Sequence, residues 1–167
     1  MGHDINSAKV ICHQLQHRVN DEGRVSFVCE IVKTELSALS SGKQFKFSDV
    51  AVLFCSYLSN KYMSALDAML WQKFGARTQS IEEQLNSNNT KNVIVDDYRN
   101  IASFECPMVI VVSTNLGKAF QCYKIYSRAP SKLLVVDIDS HQPLYGYYQH
   151  IDYIIWKANE NNIFQKL

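Results

Sequence analysis

The chain has no phosphate-binding loop. Gly-x-x-x-x-Gly-Lys-Ser/Thr occurs nowhere, and Ser41-Gly-Lys43 lacks both the first glycine and the hydroxyl after the lysine. Without that cradle of backbone amides, the chain has no means of its own to grip a nucleoside triphosphate. Gly-x-Gly-x-x-Gly is absent as well, which removes the fingerprint of a dinucleotide-binding domain. Gly-x-Ser-x-Gly is missing too, which weakens a hydrolase reading. Charge of one sign is lacking: 17 Lys and Arg against 16 Asp and Glu leave a net charge of +1. No overall field therefore draws the chain to nucleic acid. No run of about 18 apolar residues could span a bilayer, and no secretory signal opens the chain. The five cysteines include no Cys-x-x-Cys, and Cys29, Cys55, Cys106 and Cys122 sit inside apolar runs. They read as small core residues of a reducing compartment rather than a disulfide frame. The expected location is intracellular, cytoplasmic or nuclear, with no membrane partner.

What is present is an alternation of helices and apolar strands. At 167 residues, 47% of them hydrophobic, the chain suits a single domain with a full core. Val25, Val28, Val32, Leu36 and Leu39 recur at helical steps, with Ser40-Ser-Gly42 as the stop. Asp49-Val-Ala-Val-Leu-Phe54 is continuously apolar after its aspartate, as a strand buried on both faces reads. Tyr62, Leu66, Leu70 and Phe74 mark a second helix, capped by Ser59 or Asn60 and closed by Gly75. Residues 77–92 are polar and read as a surface connection with one helical turn around Ile81–Leu85. Strands are expected at 92–95, 108–112 and 133–136. A helix marked by Leu116, Ala119, Tyr123 and Tyr126 must end before Pro130. Ile151, Ile154, Ile155 and Ala158 fit a C-terminal helix. Residues 1–24 are expected to be an N-terminal extension, partly vector-derived at Met1-Gly2-His3, with the domain proper spanning 25–167. The pattern gives an α/β fold: a three-layer sandwich with a mostly parallel sheet.

Three segments carry a more specific signal. Asp49-Val-Ala-Val-Leu-Phe-Cys-Ser56 is a strand followed by a polar turn. Asp96-Asp-Tyr-Arg-Asn-Ile-Ala-Ser-Phe-Glu-Cys-Pro-Met-Val-Ile-Val111 leads through Glu105 and Pro107 into another strand. Tyr126-Ser-Arg-Ala129 closes a helix just before the strand at 133–136. In this order they resemble motifs IV, V and VI of the C-terminal, RecA-like lobe of superfamily 1 helicases of the UvrD/Rep type, a P-loop NTPase fold. The resemblance spans Val25 to Asp137.

That resemblance implies roles. Arg128 matches the arginine that reaches across the cleft to the γ-phosphate of ATP held by a first lobe. Ser127 matches the hydroxyl beside it, and Glu105 matches the acid that orders the cleft and its nucleotide. ATP and Mg2+ would enter only with the first lobe; the chain alone is expected to take no cofactor and to show no ATPase activity. Its expected partner is the N-terminal RecA-like lobe of the same parent protein, with single-stranded nucleic acid or another protein as a further partner.

The departures shape a second expectation. Cys55 stands where Rep/UvrD proteins often carry arginine, and Ser103 where motif V has glycine. The threonine, histidine and lysine that touch nucleic acid in many helicases fall near Asp97, Arg99 and Ala102 here. The large domain inserted between motifs IV and V is replaced by the short 77–92 connection. Arg99 is left as a weak candidate for a nucleic-acid phosphate; a lone loop arginine also serves simply as a solvated charge. The alternative function is a degenerate helicase-fold module with a regulatory or protein-interaction role and no ATPase coupling.

Several residues have other uses. Arg128 at a helix end also complements the helix dipole, and Glu105 could cap or pair at a strand entrance. Cys12, His13 and His17 cluster, and His13 and His17, four apart, would share one helical face able to grip zinc, but no second ligand pair sits at a matching distance and the pair also reads as satisfied or solvent-facing histidines. Tyr145-Gly-Tyr-Tyr148 could stack on bases or cover a sheet edge. Cys55 or Cys106 with His141 would make a cysteine enzyme, although no orienting third group accompanies them.

Overall fold

The computed structural model describes residues 10–16, 19–42, 44–55, 60–101, 106–113, 132–138 and 151–167. Among them, eight strands form one sheet: β1 (Val10–Gln16), β2 (Val50–Phe54), β3 (Thr78–Gln79), β4 (Val93–Asp97), β5 (Met108–Ser113), β6 (Lys132–Asp137), β7 (Ile151–Ala158) and β8 (Phe164–Lys166). Their order across the sheet is β3-β4-β2-β5-β6-β1-β7-β8. Every pairing is parallel except that of β7 with β8. The continuous apolar runs at 50–54 and 108–112 form the middle of this sheet, where both faces are covered.

The helices α1 (Asp21–Ser40) and α2 (Asn60–Phe74) pack against one face. Asn20 starts α1 by accepting the Gly23 N–H on its side-chain oxygen at 2.8 Å, and Asp21 and Glu22 favour the positive end of the helix dipole. Gly23 is required in that turn: a Cβ there would stand 2.3 Å from Val19 Cγ1. Leu66 and Leu70 carry α2 onto the core, and Gly75, at φ +66°, turns the chain out of it. The even-numbered residues Val50, Val52 and Phe54 of β2 meet these helices, together with Ile110 and Val112 of β5. Ala51 and Leu53 point the other way and join Ile81, the first residue of α3 (Ile81–Ser87), in a second core. The sheet is thus the middle of three layers, as expected for an α/β sandwich. The 77–92 connection contains β3 and α3 and no further domain.

Two expectations are corrected. Ile151–Ala158 is strand β7, not a C-terminal helix. Its apolar positions satisfy a helical period, but β-branched and aromatic residues favour a pleated strand. Pairing with β1 over seven residues decides the matter, with Trp156 and Tyr153 joining opposite cores. The supposed extension at 1–24 contributes an interior strand: β1 lies between β6 and β7. His13 and Gln14 interrupt its apolar run, yet both are buried. Because His13 lies on a strand, the helical spacing expected to set it beside His17 does not hold there, and Cys12 points to the opposite face of the sheet. His17, the Leu116–Tyr126 helix and Tyr145–Tyr148 lie outside the described residues.

Candidate functional site

The three motif-bearing strands are neighbours. β2, β5 and β6 lie side by side, and their first residues form one row, Val50 opposite Met108 and Met108 opposite Lys132. Parallel strands in this register receive their incoming chain at the same, amino-terminal edge.

The entrances are tied together there. The Cys106 thiol donates to the Asp49 carbonyl at 3.0 Å, joining the start of β5 to that of β2. Burial pushes this thiol up to about 12, with the neighbouring Asp49 charge adding to the shift. It therefore stays protonated at neutral pH and keeps its donor. The backbone N–H of Lys132 donates to the Pro107 carbonyl at 3.2 Å, joining the start of β6 to that of β5. The Lys132 ammonium also pairs with Glu35 of α1 at 3.0 Å, which fixes this corner of the edge to the helical layer. A protonated, hydrogen-bonded thiol is no nucleophile, so Cys106 is a structural residue and not the centre of a cysteine enzyme. Cys55 is likewise buried, its N–H donating to the Val112 carbonyl at 2.9 Å as β2 ends.

Of the expected site residues, Glu105, Ser127 and Arg128 lie outside the described residues, as do Ser103, Ala102 and His141. The chain that carries Glu105 runs directly into Cys106 and Pro107, and that carrying Arg128 runs into Lys132.

Arg99 is elsewhere. It follows β4, at the carboxyl-terminal edge of the sheet. Its guanidinium forms a fork on Asp97, Nε to Oδ1 at 2.9 Å and Nη2 to Oδ2 at 3.0 Å. These bonds hold the Asp97 carboxyl below the usual carboxylate range. The arginine is 74% exposed, but its planar donors already have an acceptor.

The same carboxyl-terminal side holds a feature that sequence reasoning missed. Ser113, Asp137 and Gln14 are opposite one another on β5, β6 and β1, all buried and all on the face away from α1. The Gln14 amide has no hydrogen-bond partner at either end among the described residues. Each residue alone looks like the polar end of an apolar strand; only the register makes them a row.

His13, on the opposite face of β1, has a measurable consequence. Burial first, then the charges of Lys166 and Lys132, lowers its pKa from 6.5 to about 4. Above pH 6.5 both folded and unfolded chains hold it neutral. Between pH 6.5 and 4 only the unfolded chain takes the proton, so stability falls with pH by about 3 kcal/mol. In His13→Gln, which keeps an acceptor for Trp156, this part of the acid loss should vanish. Urea unfolding midpoints at pH 7, 5.5 and 4 compare the two.

No protein-family model matches the chain, and no curated protein matches it. A solved structure does. The C-terminal domain of a possible DNA helicase from Lactobacillus plantarum WCFS1 superposes with a TM-score of 0.51 at 22% identity, over 89% of this chain and 85% of that one. The chain shares the fold of that domain. In that shared fold the amino-terminal row is an edge on which three separate segments converge. No helix among the described residues is long and apolar enough to cross a membrane.

Proposed function

We propose that the chain is the second motor lobe of an ATP-dependent, UvrD/Rep-like helicase protein, closing on ATP held by a first lobe outside this chain. The observation that carries the reading is the stitched amino-terminal edge. The 3.2 Å bond from Lys132 N–H to the Pro107 carbonyl fastens the entrance of the motif V strand to that of the motif VI strand. Glu105 stands two residues before that proline and Arg128 four before that lysine. Short tethers from a shared edge would let both side chains serve one cleft.

In such a cleft the work of this chain is electrostatic. Negative charge spreads over the equatorial oxygens of the transferring phosphoryl group, and the Arg128 guanidinium offers fixed, planar donors to it. Ser127 would hold the backbone turn that aims the arginine, and Glu105 would order the donors around it. The first lobe supplies the phosphate loop and Mg2+ site; no residue run in this chain fits them.

Nucleotide titration tests this. The chain alone should show neither ATP affinity nor hydrolysis, and joined to its N-terminal lobe it should show both. Hydrolysis by the chain alone, or no ATP affinity in the joined protein, overturns the proposal.

A second reading has its own support. Arg99 is held by Asp97, and a buried cysteine stands at the position of the motif IV arginine. Both favour a helicase-fold module that serves regulation or protein contacts without ATPase coupling. An upstream lobe with an intact phosphate loop and ATPase activity argues against this alternative; an eroded loop supports it.

A further inference from the structure

The two edges of the sheet, β3 and β8, are finished differently. At β3 the Thr78 N–H donates to the Asp67 carboxylate at 3.1 Å, so a side chain caps that edge. At β8 nothing among the described residues covers the outer backbone. This strand runs antiparallel to β7, with Lys157 opposite Gln165. The Asn159 N–H donates to the Ile163 carbonyl at 3.0 Å, and the Leu167 N–H to the Ile155 carbonyl at 2.9 Å. Along an antiparallel ladder the backbone groups of successive residues alternate in direction. Ile163, Gln165 and Leu167 therefore bond toward β7, while the N–H and C=O groups of Phe164 and Lys166 face outward. Gln165, Lys166 and Leu167 are all exposed, which leaves that outer side open.

The side chains alternate as well. Phe164 and Lys166 lie on the α1 face, the first against Phe27 and the second over the Trp156 ring. Ile163, Gln165 and Leu167 lie on the opposite face. Ile163 is 57% exposed and Leu167 71%, so an uncovered aliphatic side chain stands at each end of the short strand. An open ladder flanked by such groups is a template for another strand. The spacing of these features makes the strand its own complement: reversed, it sets each aliphatic end against the other.

We propose that the β8 edge pairs with the β8 edge of a second copy of this chain, antiparallel about a two-fold axis through Gln165. In this register Phe164 exchanges backbone hydrogen bonds with Lys166 of the second copy, and Lys166 with its Phe164, so the outward groups of both strands are satisfied. Ile163 sits beside Leu167 of the second copy, and Leu167 beside its Ile163, so the uncovered aliphatic groups cover each other. The neighbouring registers fail. Centred on Lys166, the pairing sets two ammonium groups side by side. Centred on Phe164, it needs Asn162 as a strand residue, yet Asn162 stands at φ +56° and turns the chain. Short length and a lysine are common means of blunting an edge; here they keep the contact weak and confine it to one register. The axis is normal to the sheet, so the α1 layers of both copies lie on the same side. β1 and β7 separate β8 from β6, so the contact is independent of the helicase reading.

Sedimentation velocity over rising concentrations of the chain tests this. Monomer and dimer should exchange with a Kd on the order of 100 μM, as suits a contact smaller than a stable interface. Lys166→Pro removes an outward N–H and leaves the bonds to β7 in place, and it should weaken the dimer at least about tenfold. Gln165→Cys identifies the register without relying on that variant. On the axis this residue faces its own copy with Cα atoms about 4.5 Å apart, within reach of a disulfide. Oxidation with diamide should link Gln165→Cys into a covalent dimer. Ile163→Cys should give no more dimer than the unaltered chain, whose native cysteines set the background. A chain that stays monomeric to about 1 mM would leave the edge to an extended segment of another protein and overturns the proposal. A dimer indifferent to Lys166→Pro, or cross-linking of Ile163→Cys as ready as that of Gln165→Cys, overturns it as well.

Discussion

Arg128→Ala in the joined two-lobe protein should lower the rate of ATP hydrolysis by about a thousandfold or more. The reason is differential: under the proposed function the guanidinium would meet charge that grows as the phosphoryl group leaves, so the turnover rate would fall further than ATP affinity. Arg128→Lys should recover only part of the loss, because a single ammonium cannot make the paired contacts of a planar fork. Steady-state phosphate release gives the rate, and titration with a non-hydrolysable analogue gives the affinity. An unchanged rate in Arg128→Ala would make the residue a helix-end charge, satisfying the dipole and nothing more.

Phe27→Ala should cost about 4 kcal/mol of stability. Phe27 is fully buried on α1, its ring centre 5.1 Å from that of Phe164 and 6.0 Å from that of Trp156. It thus joins the first helix to the last two strands, across more than a hundred residues of sequence. Native domains hold roughly 5–15 kcal/mol in all, so the variant should fold only marginally. Its thermal midpoint should drop by about 10 °C, and the near-ultraviolet dichroism of Trp156 should weaken with it. Phe27→Leu, which keeps most of the volume, should lose far less. A small effect of Phe27→Ala would mean that β7 and β8 hold their place without α1.

The sequence displays those elements whose environment is uniform. β2, β5 and β6 are buried on both faces, so nearly every residue in them is apolar and the strands stand out. Helices α1 and α2 show their stripes because one side meets the sheet and the other meets solvent. β7 defeats the same logic. Ile151, Ile154, Ile155 and Ala158 suit both periods, and only a partner strand distinguishes them. β1 hides behind His13 and Gln14, two polar residues that no local rule places in a sheet interior. β3, with two residues, is too short to leave a pattern.

The candidate edge was legible in part. Its strands are visible in the apolar runs, and its side chains are suggested by the resemblance of Glu105, Ser127 and Arg128 to family motifs. The ties that bring the entrances together run to the carbonyls of Asp49 and Pro107. A backbone acceptor has no side-chain identity to read. The buried row of Ser113, Asp137 and Gln14 depends on register between strands far apart in sequence, and register is fixed only when the sheet assembles.

The central claim concerns where Arg128 points when ATP is present. A crystal structure of the joined two-lobe protein with a non-hydrolysable ATP analogue measures this directly. The account predicts the amino-terminal edge of β2, β5 and β6 facing the first lobe, with the Arg128 guanidinium within hydrogen-bond distance of the γ-phosphate. An amino-terminal edge turned away from the nucleotide, with Arg128 bonded only to its own helix end, would contradict it.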